Sequence, residues 1–364
     1  MSEFNAINEK FKKEYEDALI HGAHKEVRTV DAAWKAINMF ENFTGKKDFI
    51  TFNTKQAKDF KRWLMKQKNK EDQPLSVSTV SHILSNVREF FKWLAMHPKC
   101  IRKVDGQAVA YLRMSNNDER AGRATRQRPS PTIEQYRKAL DIMPSDTDIE
   151  KRNRAIFAFA ALTVARDAAI VSLKMKDIDL DAREVWQNPR HVKTKNRKSI
   201  TTVFMPFDPV WEEIFVDWFM YARDTLGFKG DDALFPKETL ICDPDEMKFK
   251  SAGLSREHWA NAAAVRSIFK DAFKNAGLPH CTPHSVRNMI VNWAMEHCTQ
   301  YQFKAISQNI GHESVMTSYN AYGNFNMDTQ RSAILSIGEG HAELVNVSYD
   351  ELLEELSKRK VQQY

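Results

Sequence analysis

Apolar positions in the first third of the chain recur at intervals of three and four residues, the spacing of helices with one buried stripe. In residues 29–43, Ala33, Ile37, Met39 and Phe40 fall near one stripe, and Gly45 follows as a stop. Residues 55–68 turn Phe60, Trp63 and Leu64 inward and their lysines outward, and residues 78–96 form a strong amphipathic helix. Such stripes joined by short polar turns predict a small helical bundle. Between about residues 114 and 131 apolar content almost vanishes, which predicts a linker. A new helix opens in PTIEQYRKALDIM, and residues 154–164 are apolar almost all round, as a central buried helix requires. Residues 177–207 lose the helical period and predict a short antiparallel sheet around a basic turn. Residues 256–276 and 283–309 read as helical again.

Composition narrows the class. A chain of 364 residues, 42% hydrophobic and 28% charged, fits two globular domains, and only 12 glycines favour helices. No GxGxxG or GxxxxGK string occurs, so sequence evidence for a nucleotide site is missing. The start MSEFNAINEKFKKEY lacks an apolar signal core, and the longest apolar run, residues 155–165, is too short to span a bilayer. A cytoplasmic chain without a membrane partner is expected. Cys100, Cys242, Cys281 and Cys298 lie far apart with no CxxC pair, so neither a disulfide framework nor a zinc site is signalled, and no metal or cofactor is expected.

Net charge is only +6, but its distribution is uneven. Residues 55–70 hold Lys55, Lys58, Lys61, Arg62, Lys66, Lys68 and Lys70 against the single acid Asp59. Arg120, Arg123, Arg126 and Arg128 form a second cluster, and Lys193, Lys195, Arg197 and Lys198 a third, both without acids. One such cluster is ordinarily a solvated face. Three together point to a phosphate backbone.

The chemistry-bearing residues follow in order. Arg166 stands at the exit of the most apolar helix, where a guanidinium without a partner would be costly. The basic turn VKTKNRK comes next. In TPHSVRNM, proline followed by a helix sets His284 and Arg287 at i and i+3, on one face near the positive helix end, a good seat for an anion. Twenty-five residues after Arg287, IGHES brings His312, and Tyr322 stands ten residues beyond that. Singly these are commonplace: a buried arginine, a helix-start histidine, a loop histidine after glycine, a core tyrosine.

In this order the set Arg, Lys, His-x-x-Arg, Gly-His, Tyr resembles the tyrosine recombinase, or phage integrase, family. The resemblance implies a mainly α fold with a small antiparallel β-sheet, arranged as a two-domain DNA clamp. Residues 1–115 would be a helical, SAM-like core-binding domain, 116–130 an arginine-rich linker, 131–335 the catalytic domain and 336–364 a tail with a docking helix. Carried over residue by residue, Arg166 and Arg287 would clamp the scissile phosphate, with Tyr322 the nucleophile. Lys193 would protonate the leaving 5′ oxygen, His284 would assist proton transfer, and His312 would hydrogen-bond a phosphate oxygen. The implied reaction is site-specific recombination through a 3′-phosphotyrosyl intermediate, without metal or ATP. Its partners would be double-stranded recombination sites, with a homotetramer on two sites and a monomer off DNA.

The chemistry agrees with these roles, because attack on a phosphodiester builds negative charge that planar guanidinium forks match. DNA contacts are expected from Lys55, Lys58, Lys61, Arg62, Arg123, Arg126, Arg128, Lys195 and Arg197. Three details depart from the family pattern or stay open. Ala169 stands where many members carry an acid, with Asp167 nearer; Lys195 competes with Lys193; and Tyr319 competes with Tyr322, although Gly323 favours the latter. A type IB topoisomerase-like enzyme and a non-catalytic DNA-binding module are the rival readings. In the tail, Ser348 and Glu351 form a capping box before a leucine stripe, and docking on a neighbouring protomer is expected.

Overall fold

The computed structural model describes residues 4–101, 103–124, 130–243 and 248–312. The chain divides into two compact units, Met1–Gln127 and Arg128–Tyr364. Tyr319, Tyr322, Arg126, Arg128 and the expected tail helix lie outside the described residues, as does the side chain of Arg123.

The first unit is built from α1 (Ala6–Asp17), α2 (Val27–Phe43), α3 (Thr54–Leu64), α4 (Val77–Met96) and α5 (Asn116–Ala124). Its core is aromatic: Phe40, Phe49, Phe52, Phe60, Phe90 and Phe91 are buried together, and Phe52 stacks on Phe91 with centroids 3.8 Å apart. Three of these helices begin where a side chain satisfies the first free amides. Asn5 accepts from Ile7 and Asn8, Asn53 from Gln56, and Ser76 from Thr79. The stripe read in residues 55–68 is seen in α3, which buries Ala57, Phe60 and Leu64. A polar network lies beneath α1: the buried Lys12 ammonium sits 2.7 Å from Glu41, and Asn8 donates to the same carboxylate at 2.9 Å. Helix α5 occupies part of the segment read as a linker. Its low apolar content hid it, but Ser115 accepts from the Asp118 amide, and Ser81 of α4 donates to Glu119.

The second unit wraps one core around α7 (Asp148–Thr163), whose residues Ala155 to Leu162 are all buried, as the apolar run predicted. Around it stand α6 (Ile133–Ile142), the short α8 (Asp167–Ile170), α9 (Pro209–Asp224), α10 (Ala263–Asn275), α11 (Pro283–His297) and α12 (Gln300–Asn309). The expected sheet is present as β1 (Ile178–Asp179), β2 (Glu184–Gln187) and β3 (Ile200–Val203), antiparallel in that order. Strand β2 pairs β3 with Trp186 opposite Thr201, so Val185 and Gln187 face inward and Trp186 outward. The fold class is therefore mainly α with small antiparallel sheets.

Three boundaries differ from the periodicity reading. A second hairpin, β4 (Glu238–Asp243) with β5 (Lys248–Leu254), was not anticipated; Leu240 and Ile241 on β4 are both exposed, so they give no alternation of buried and exposed positions. The helix read over residues 256–276 begins only at Ala263, where Asn261 accepts the Ala263 amide, because the Arg256 guanidinium is drawn back to the Leu226 and Gly227 carbonyls. The stretch 283–309 is two helices, split at Cys298 and Thr299; the Thr299 hydroxyl caps α12 by accepting from the Gln302 amide. No described helix is long and apolar enough to cross a membrane.

Candidate active site

The site begins where α7 ends. The buried Val164 closes the helix in the left-handed region, φ +52°, which a β-branched residue adopts at a cost of about 1 kcal/mol. Its amide still donates to Ala160 at 3.0 Å, and the Thr163 hydroxyl bonds the Phe159 carbonyl at 2.8 Å. This reversal presents the Val164 carbonyl to Arg287 and sets Arg166, half-buried and extended, just ahead of α8. The neighbouring acid Asp167 is bound to Arg266, 2.7 Å from both its Nε and its Nη2.

Arg287 is only 2% exposed. Its Nη1 donates to the Val164 carbonyl at 2.7 Å and its Nη2 to the Ile310 carbonyl, tying α11 to the turn after α7 and to the end of α12. His284, one turn earlier, is exposed, so the two residues do not share a face as their spacing suggested: Arg287 points into the core and His284 outward. The start of α11 is shaped by Pro283 in its first turn and by Ser285, whose Oγ accepts the Thr282 amide at 3.1 Å.

His312 follows Gly311, whose φ of +78° favours glycine, and a Cβ there would press on the Ile200 Cδ1 methyl at 2.9 Å. The His312 amide donates to the Ser307 carbonyl at 3.0 Å, and the residue is buried. Burial pushes its imidazole pKa down to about 4, and the charges of Arg287, Arg166 and Lys195 push in the same direction. The charges of Arg166, Arg287 and Lys195, from three other stretches of chain, thus all bear on His312.

Lys193 has a different partner. Its exposed ammonium donates to the Ala260 carbonyl at 3.1 Å, and its charge bears on His258, whose pKa is lowered mainly by burial. The root of the turn is pinned: the Lys193 amide donates to Ser172 Oγ at 2.8 Å, and His191 Nε2 lies 2.8 and 2.9 Å from the two oxygens of the buried Asp177 carboxylate. Beyond it Asn196 and Arg197 both have positive φ, 59° and 53°. Lys195 and Arg197 are exposed on this turn. Among the other expected DNA contacts, Lys55, Lys58 and Arg62 are exposed on α3 and Lys61 is half-buried. Lys58 rests 4.6 Å from the Tyr111 ring centroid, and Arg62 makes a surface pair with Asp59.

Sequence reading missed the residues that act through their backbones or as props: the Val164 and Ile310 carbonyls, Ser172, and the Asp177 and His191 pair. A carbonyl leaves no trace in a side-chain pattern. Of the Asp177 and His191 pair, only His191, directly before the basic turn, left any trace in the sequence.

The electrostatics predict that His312 is neutral at pH 7. Because its folded pKa lies below the unfolded value near 6.5, the unfolded chain takes up the proton first as pH falls. Stability should therefore drop as pH decreases from about 6.5 to about 4. His312→Gln should remove that slope in urea unfolding curves measured across the window; an unchanged slope would refute it.

The family model for the phage integrase family matches residues 132–328, and that for the phage integrase, N-terminal SAM-like domain, matches residues 13–98. No curated protein matches the chain in sequence. Among solved structures, XerH site-specific recombinase bound to palindromic difH substrate, a post-cleavage complex, is similar with TM-score 0.60 and 16% identity, over 91% of this chain and 84% of that one. The Tn1549 transposon integrase in complex with transposon right end DNA gives 0.53 and 14%, over 90% and 99%. A lambda integrase tetramer bound to a Holliday junction gives 0.53 and 16%, over 86% and 79%.

Proposed function

The chain belongs to the phage integrase family, and from that premise we propose that it is a site-specific tyrosine recombinase, cutting and rejoining DNA strands through a 3′-phosphotyrosyl intermediate with neither metal nor ATP. The observation that carries this reading is the buried His312, on which the charges of Arg287, Arg166 and Lys195 all bear. Three cations around one neutral imidazole form a preorganised seat for an oxyanion, the group whose charge grows as a phosphodiester is attacked. In the proposed reaction the Tyr322 oxygen bonds to phosphorus and the bond from phosphorus to the 5′ oxygen breaks. Arg166 and Arg287 hold the non-bridging oxygens, and His312 donates a hydrogen bond to one of them. His284, exposed at the start of α11, assists in moving the tyrosine proton. The tyrosyl ester conserves the bond energy, so a 5′ hydroxyl of another strand can reverse the step.

Duplex DNA is the proposed partner. Residues 1–115 would form the core-binding domain, 116–130 the arginine linker, 131–335 the catalytic domain and 336–364 a docking tail, with Lys55, Lys58, Lys61, Arg62, Arg123, Arg126, Arg128, Lys195 and Arg197 on phosphates. A tetramer on two sites, assembled from monomers in the cytoplasm by a mobile element's enzyme, fits the DNA-bound relatives.

The proton for the departing 5′ oxygen is assigned to Lys193. Its present hydrogen bond to Ala260 is no obstacle, since one exposed bond of that kind contributes only about 1 kcal/mol. Lys195 is the second reading, favoured by its charge on His312. A suicide substrate in EDTA tests both assignments and the reaction. The chain should form a covalent adduct, and Lys193→Ala should abolish it on ordinary DNA. A 5′-bridging phosphorothiolate, whose sulfur leaves without a proton, should restore it. Rescue of Lys195→Ala instead moves the role to Lys195. Relaxation of supercoiled DNA independent of partner sites would mark a topoisomerase, and binding without any adduct a non-catalytic module.

A further inference from the structure

Strand β3 is the outer strand of its sheet, and its free edge is not bare. At the end of α12, the Asn309 side chain takes the place of a fourth strand. The Val203 amide donates to Asn309 Oδ1 at 2.8 Å, and Asn309 Nδ2 donates to the Val203 carbonyl at 2.9 Å. A primary amide can present one N–H donor and its carbonyl acceptor along one planar edge, matching the pair that a strand residue offers. A third bond seals the junction: the buried Thr202 hydroxyl donates to the Asn309 main-chain carbonyl at 3.1 Å and itself accepts from Gln187 Nε2 at 3.1 Å. The two paired segments lie 106 residues apart.

What this clasp joins matters for the chemistry. On one side, β3 leads back through the turn that carries Lys195 and Lys193. On the other, Ile310 presents its carbonyl to Arg287, Gly311 packs on Ile200 of the same strand, and His312 follows. We infer that Asn309 is a positioning residue: its amide, paired with the edge of β3 at Val203, sets the placement of Arg287 and His312 against the lysine-bearing hairpin. This rests on the recombinase reading above. Loss of the clasp would let the end of α12 drift from β3 while leaving both hydrophobic cores intact. Displacement of reacting groups by about 1 Å is enough to cost up to about a hundredfold in rate.

The experiment measures adduct formation on a nicked suicide duplex by the full chain and by Asn309→Ala and Asn309→Asp, alongside thermal melting and duplex binding. At pH 7.5 both variants should form adduct at least about tenfold more slowly, with duplex binding within about twofold of the unmodified chain. Asn309→Asp adds a discriminating readout. Its carboxylate still accepts from the Val203 amide but faces the Val203 carbonyl without a proton. Acidification restores that donor, so its rate relative to the unmodified chain should recover as pH falls towards about 5, a range that leaves His312 neutral. Asn309→Ala should show no such recovery. Adduct formed by Asn309→Ala at the unmodified rate overturns the inference, as does an Asn309→Asp deficit that is flat with pH. A deficit in Asn309→Ala that only tracks its unfolding overturns it too, unless the Asn309→Asp recovery appears. An unmodified chain that forms no adduct overturns the functional reading itself, a separate outcome.

Discussion

Tyr322→Phe should leave no covalent DNA adduct: trapping on a nicked suicide duplex should fall by more than about 10⁴-fold, the scale on which removing a covalent nucleophile acts. The substitution removes one oxygen and little else, so folding and duplex binding should be unaffected. The size of the effect follows from the role, because the proposed reaction has no first step without an oxygen to bond phosphorus. Tyr319→Phe, three residues away, should still form the adduct. The reverse pattern would transfer the nucleophile to Tyr319, and adduct formation by both variants would refute a tyrosyl intermediate at either position.

The second large effect is expected at Arg287, where one side chain has two duties. Arg287→Ala removes the donors from the buried Val164 and Ile310 carbonyls. Each carbonyl left without a partner costs about 1–3 kcal/mol, and the space vacated by a 2% exposed side chain adds to that. Calorimetry should register a melting temperature lower by about 10 °C for the unit that holds it. Arg287→Lys keeps the charge but not the planar fork, so it cannot reach two carbonyls on opposite sides and should recover only part of the stability. Cleavage by either variant, assayed at a temperature where it is folded, should fall by at least about 10²–10³-fold, as when a preorganised oxyanion donor is removed. A variant that melts early yet cleaves normally would confine Arg287 to a structural role.

The clasp at Asn309 and the burial of Arg287 bear on the same question. The cluster around His312 is assembled from the ends of α7, α11 and α12 and from the turn before β3. Each of these ends is held by a specific backbone or amide hydrogen bond in addition to the core packing of Val164, Val192, Val286 and Ile310. Such joints can be loosened one at a time while the core stays packed, which is why the tests above separate cleavage from stability.

The sequence by itself determined the helices whose apolar stripes are long and regular. Residues 29–43 and 78–96 anticipated α2 and α4 to within two residues at their starts, and the apolar run at 154–164 marked the centre of α7. It also determined the identity and order of Arg166, His284, Arg287, His312 and Tyr322, on which the family resemblance rests. These features are local, written in the period of side chains along one element. Tertiary structure alone decided the rest. It turned Arg287 inward and His284 outward from one helical turn, and let the charge of Lys195 bear on His312 while Lys193 bonds the Ala260 carbonyl. It also made a helix of polar residues 116–124 and gave Asn309 the work of a strand. The physical reason is common to all four: these outcomes depend on a partner far along the chain, whether the Val164 and Ile310 carbonyls, Ala260, Ser81 or the edge of β3. Hydrophobic period predicts which face of an element is buried but carries no information about which distant polar group will meet it.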